Sequence, residues 1–150
     1  MKRNSNIVPL SRDHHFGLLC SWKIRQGLSK NIDPKRISVY LDYFWNTHLK
    51  THFKEEEEVL FIKREDAPTM KALDEHRQIE HLVNRITDDP RETLLMEFSE
   101  LLQEHIRFEE RVLFPHFETI LTEPELAEVG KQLDLIHQPQ TDGYKDEFWR

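Results

Sequence analysis

Proline, twice with a capping residue just ahead of it, punctuates this chain at near-regular intervals. That punctuation limits the fold more than any other feature. Asn31-Ile32-Asp33-Pro34 is a break with Asp33 as N-cap and Pro34 at the first helical position. Asp66-Ala67-Pro68-Thr69 is a second break, Asp88-Asp89-Pro90 a third, again a cap followed by proline, and Thr122-Glu123-Pro124 a fourth. Between them lie four long segments, roughly 11–30, 34–64, 68–87 and 90–121, followed by a shorter one near 124–136. With four glycines in 150 residues, the segments themselves are uninterrupted helix formers. Pro115 falls late in the fourth and is expected to end or kink that helix.

Each long segment carries apolar residues at helical spacing. The second shows Leu41, Phe44, Trp45, Leu49 and Val59; the fourth shows Leu94, Phe98, Leu101, Leu102 and Val112. Amphipathic helices with short connections predict an all-α, antiparallel up-down-up-down four-helix bundle with a short C-terminal helix. The bundle is expected over 1–122. Residues 123–150 form the short helix and a tail whose Tyr144, Phe148 and Trp149 are candidates to dock.

Composition excludes several function classes. One Cys leaves no disulfide framework and no Cys-based zinc fold. A net charge of -7 supplies no cationic surplus for nucleic acid. No apolar run is long enough to cross a membrane, and the basic N-terminus has no apolar core of a secretory signal, so the expected compartment is the cytoplasm. Nine His in a chain rich in Glu are the odd quantity, and together they are metal-site material.

Their spacing supports that chemistry. His52-Phe-Lys-Glu-Glu56-Glu-Glu-Val-Leu-Phe61 aligns without gaps on His105-Ile-Arg-Phe-Glu109-Glu-Arg-Val-Leu-Phe114. A weaker echo pairs His15-x-x-Leu18 with His76-x-x-Ile79. At four residues' separation His and Glu share one helix face. At about 100° per residue His52 and His105 sit at the centre of their apolar stripes, and Glu56 and Glu109 lie about 40° to one side. Burying two carboxylates without partners costs several kcal/mol each, so a cation is expected. The same phase test places His15 inward with Leu18, Leu19 and Trp22, and His76 inward with Leu73, Ile79 and Val83. It turns His14 and His81 away. The expected ligands are therefore His15, His52, Glu56, His76, His105 and Glu109. His48, one turn before His52, and Glu80, which forms a third His-x-x-x-Glu with His76, are auxiliary candidates. Four imidazoles, two carboxylates and no thiolate suit Fe, Mn or Zn, and two acids able to bridge favour a binuclear site. The order is inverted from the Glu-x-x-His of the ferritin-like carboxylate proteins, which disfavours that class.

These motifs carry a family resemblance. Asp13-His14-His15-x-x-Leu18, His52-Phe-x-x-Glu56-Glu57-x-x-Leu60-Phe61, His76-x-x-Ile79 and His105-x-x-x-Glu109-Glu110-x-x-Leu113-Phe114-Pro115 resemble the hemerythrin-like, HHE cation-binding family across residues 10–121. The resemblance implies two Fe ions with an oxo or hydroxo bridge, terminal His15, His52, His76 and His105, and bridging Glu56 and Glu109. It also implies dioxygen or nitric oxide as ligand. Ala72 stands where the oxygen carriers of the family have a fifth His, so the pattern is closer to members with four His and two Glu. Gas or metal handling is the first expectation. A di-iron enzyme (nitric-oxide or peroxide reduction) or an iron-centre repair factor is the alternative.

Overall fold

A computed structural model describes residues 2–62 and 64–150, and among these every regular element is helical. Helix α1 is Val8–Ser29. Helix α2 begins as Pro34–Phe44 with Asp33 accepting from the Lys35 amide. It continues through a π-helical turn at Trp45–Leu49, an α-helical stretch at Lys50–Glu55 and a second π turn at Glu56–Leu60. Helix α3 is Ala67–Asp88, capped by Asp66 on the Thr69 amide. Helix α4 runs Glu92–Phe108, passes through a π turn at Glu109–Leu113, and resumes as Phe114–Ile120. Helix α5 is Glu123–Ile136, opened by a reciprocal capping box between Thr122 and Glu125. Three of the four sequence breaks thus act through side-chain caps that satisfy free amides. Arg91 precedes α4 with no such bond.

The four long helices form the expected bundle: α1 packs along α4, α3 along both α4 and α2, and α5 lies across the second π turn of α2. The core divides into two apolar clusters. One contains Ile24, Ile37, Leu41, Ile79, Phe98 and Leu102 and also buries Phe148 and Trp149, so the tail does dock. The other contains Leu10, Leu60, Phe61, Leu113, Phe114 and Phe117, closed by Leu126, Val129 and Leu133 of α5. Between the two clusters lies a polar layer.

Two expectations need correction, with one kind of cause each. Pro115 does not end the fourth helix. The hydrogen-bond ladder changes upstream, at Glu109–Leu113, and Pro115 falls in the first turn after Phe114, where its missing N–H is tolerated. The π turns also advance the side-chain phase, so Val112 is 46% exposed while Leu113 is buried.

The second correction is the face of α1. Leu18 and Trp22 are 39% and 43% exposed. The packed face is Leu10, Asp13, His14, Gly17, Cys20, Ser21, Ile24 and Leu28. Small residues mark it because α4 comes close. A Cβ on Gly17 would stand 2.6 Å from Ile106 Cδ1.

Candidate metal centre

The polar layer is built from six fully or nearly fully buried side chains: His14, His52, Glu56, His76, His105 and Glu109. Each comes from the mid-bundle stretch of a different helical turn, and the two Glu open the π turns of α2 and α4. A π turn widens the backbone by one residue and swings the first side chain into the interior. Such turns recur at functional sites.

Two groups of ligand-type atoms result, and they share both carboxylates. His14 and His52 stand with Glu56 and Glu109; His76 and His105 stand with the same Glu56 and Glu109. Glu56 Oε1 is 3.3 Å from His52 Nε2 and 3.1 Å from His76 Nε2. Glu109 Oε2 is 3.2 Å from His105 Nε2 and 3.5 Å from His76 Nε2, while its Oε1 is 2.8 Å from His14 Nε2. Each carboxylate therefore faces imidazoles of both groups.

The outward side of each ring is tied to a carboxylate. Nδ1 of His14 lies 2.7 Å from Glu110, Nδ1 of His52 2.9 Å from Asp13, Nδ1 of His76 2.8 Å from Glu57, and Nδ1 of His105 2.8 Å from Glu75. An ionised carboxylate only accepts, so each Nδ1 donates outward and each Nε2 is turned inward, that of His14 lying 2.8 Å from Glu109 Oε1. The inward atoms are short of partners. Among the described residues, Nε2 of His52, His76 and His105, both Glu56 oxygens and Glu109 Oε2 are buried without a hydrogen-bond partner. Orphaned buried acceptors concentrated at one point, around shared carboxylates, fit a bound cation.

In the absence of a metal ion the same acids draw protons onto the rings. Burial lowers the proton affinity of each ring, but Glu109 and Glu110 overcome this for His14 and hold its pKa up at about 9. For His76, burial is overcome by Glu109, Glu56 and Glu57, and the value rises to about 10. His52 and His105 are raised against burial by Glu56 with Asp13, and by Glu109 with Glu75. Burial would lift Glu109, yet His105 and His14 hold it well below the usual carboxylate range. The cluster is a well for positive charge.

Five of the six expected ligand residues meet here: His52, Glu56, His76, His105 and Glu109. His15 does not. It is exposed and stacks edge-on with Phe16, and its neighbour His14 occupies the buried position. The reason is the face of α1 just described: the phase of large apolar residues misplaces the ring, and the phase of Gly17 and Ser21 places it correctly. His48 stands apart from the cluster against Tyr43 and Phe44, and Glu80 is exposed.

Asp13, Glu57, Glu75 and Glu110 were not anticipated, although a signal for them exists. Aligning Asp13-His14 with Glu75-His76 pairs an acid and a His on each first helix, and the Glu-Glu doublets at 56–57 and 109–110 supply the other two acids. That alignment selects His14.

A cleft of about 270 Å³ opens against His76, lined by Trp45, Phe53, Glu57, Arg77 and Glu80 among others. A void of about 10 Å³ lies beside His14, His52 and His105, walled by Gly17, Leu49, Phe53, Leu102 and Ile106. Cys20 is buried away from the cluster, and burial pushes its thiol up to about 12, an unreactive state. No helix among the described residues is long and apolar enough to cross a membrane.

Among known proteins, no similar curated protein and no similar solved structure was found. A family model, the hemerythrin HHE cation binding domain, matches residues 14–137. That span begins at the buried His of α1 and takes in all six clustered side chains. The chain belongs to the hemerythrin HHE cation binding domain family.

Proposed function

We propose that the centre holds two iron ions, bridged by Glu56 and Glu109, and that the protein binds dioxygen or nitric oxide there for sensing, gas handling or iron homeostasis. His14 and His52 would complete one position; His76 and His105 would complete the other. The observation that carries this reading is the sharing of two buried carboxylates by two His pairs, with the Nε2 atoms of His52, His76 and His105 lacking a hydrogen-bond partner among the described residues. Imidazole and carboxylate without thiolate suit iron, with Mn or Zn as substitutes. Iron held there would supply a coordination position for a small diatomic ligand.

The protein's own share is definable. Asp13, Glu57, Glu75 and Glu110 fix the four rings and their tautomers. Phe53 stacks on the His76 ring at 3.8 Å and stands edge-on to His105, excluding water from between them. The small void beside Gly17 is of the order of one water or one diatomic molecule. A di-iron enzyme or repair factor is the second reading. The cleft at His76 favours it, because Glu57 there links a buried ring to solvent.

Metal analysis with optical spectra under reduced, oxygenated and nitric-oxide-treated conditions tests the proposal. Two irons per chain and a spectrum that changes with either gas are expected. Less than one metal per chain after anaerobic reconstitution would refute it. Catalytic turnover of nitric oxide or peroxide would favour the second reading.

A further inference from the structure

A third group of ligand-type atoms lies outside the centre, on the α2–α5 side: Asp13, Glu55 and His137. Asp13 and Glu55 are each only 5% exposed. Among the described residues neither has a Lys or Arg partner. Asp13 meets only His52 and His137, and Glu55 meets only His137. Two buried carboxylates here meet two imidazoles and no Lys or Arg, so their charge is balanced only by protons on those rings or by a bound cation.

The wiring repeats that of the inner centre. His137 Nδ1 lies 2.7 Å from Glu55 Oε1 and so carries the proton. Its Nε2 then points at Asp13 Oδ1 across 3.4 Å without forming a hydrogen bond. Two acceptors facing each other at that distance repel unless a positive charge lies with them. An independent feature marks the same place. A cavity of about 160 Å³ is lined by these three residues together with His48 and Gln140. The His48 Nε2 and Gln140 Oε1 atoms are both buried without a partner.

We infer that Asp13, Glu55 and His137 form a separate binding site for a divalent first-row metal ion, with the cavity admitting it. One nitrogen and two carboxylates suit Mn, Fe or Zn. Asp13 accepts from His52 through Oδ2 and faces the outer site through Oδ1. The outer ion would therefore share a carboxylate with the shell around the inner centre. This inference does not depend on the inner centre holding iron.

The test is Mn²⁺ binding by the full chain, read by loss of the free-ion paramagnetic signal, with ion positions found by diffraction at the manganese edge. A peak among Asp13, Glu55 and His137 is expected whether or not the inner cluster is filled. His137→Ala should weaken that one equivalent at least tenfold and leave inner peaks in place; Glu55→Gln should act likewise and serves if His137→Ala does not fold. No outer peak at millimolar Mn²⁺, or unchanged binding in a folded His137→Ala protein, would overturn the site. The converse pattern, an outer peak without inner peaks, would sink the inner di-metal proposal and leave this one standing.

Discussion

The two halves of the bundle are alike at the centre and different outside it. In the α1–α2 half, Asp13 holds His52; in the α3–α4 half, Glu75 holds His105. The halves then exchange acids, Glu57 reaching across to His76 and Glu110 to His14. Beyond this shell the likeness stops. Glu75 is neutralised by the exposed Lys71, which also lies over Phe108 at 4.8 Å. Asp13 instead meets His137 from the end of α5, and Glu55 stands where the repeat places Phe108. The inner pattern is held by the need to fix four rings around two buried charges. The outer pattern follows from what meets each acid: His137, at the end of α5, meets Asp13, and Lys71 of α3 meets Glu75.

The largest effects should fall on what the halves share. Glu56→Ala and Glu109→Ala each remove a carboxylate common to both His pairs, so each should abolish all metal binding by elemental analysis. Retention of one metal per chain in either variant would break the shared-carboxylate arrangement.

Next come the rings. His52→Ala and His105→Ala are equivalent under the repeat and should lose metal to a similar extent. His14→Ala should join them. His15→Ala and His81→Ala should bind as the unsubstituted chain does in a competition titration with a chelator.

The outer acids should matter less. Asp13→Asn and Glu75→Gln each remove the acceptor that orients a ring, a change that typically costs 10–100-fold in metal affinity. Asp13 is the more deeply buried of the two, so its loss should be the larger. Equal losses would mean that α5 contributes nothing to the first half.

The smallest effect is on pH dependence after metal removal by chelation. The His14 and His76 pKa values are raised to about 9 and 10 from 6.5, so their contribution to stability is complete below about pH 6.5 and fades as pH rises through 9 to 10. Glu109 is depressed, so its contribution is present above its ordinary range and fades in acid. The stripped protein should therefore melt at its highest temperature near pH 5–6 and lose stability toward pH 10. The loaded protein, whose rings bind metal rather than protons, should not show the alkaline loss.

Much of this was legible in the sequence because helix caps and heptad-like stripes act locally. Asp33 caps where expected, Asp66 and Thr122 cap two further breaks, the cap expected before Pro90 is not made because the helix starts after Arg91, and the four amphipathic segments pack as a bundle. The repeat places His52, Glu56, His105 and Glu109 together, since each His and its Glu belong to one helical face. What failed was phase. In α1 the packed face is marked by Gly17 and Ser21 rather than by Leu18 and Trp22, because close approach to α4 requires small side chains. In α2 and α4 the π turns shift the register past each Glu, which a fixed angle per residue does not follow. The acids around the rings were unread because their partners lie on other helices, and only the paired alignment of Asp13-His14 with Glu75-His76 connects them.

The most direct test of the central claim is diffraction at the iron edge from anaerobically reconstituted crystals. Two iron peaks are expected between Glu56 and Glu109, one beside His14 and His52 and the other beside His76 and His105. A single peak, or an iron held by His15 in place of His14, would contradict the account.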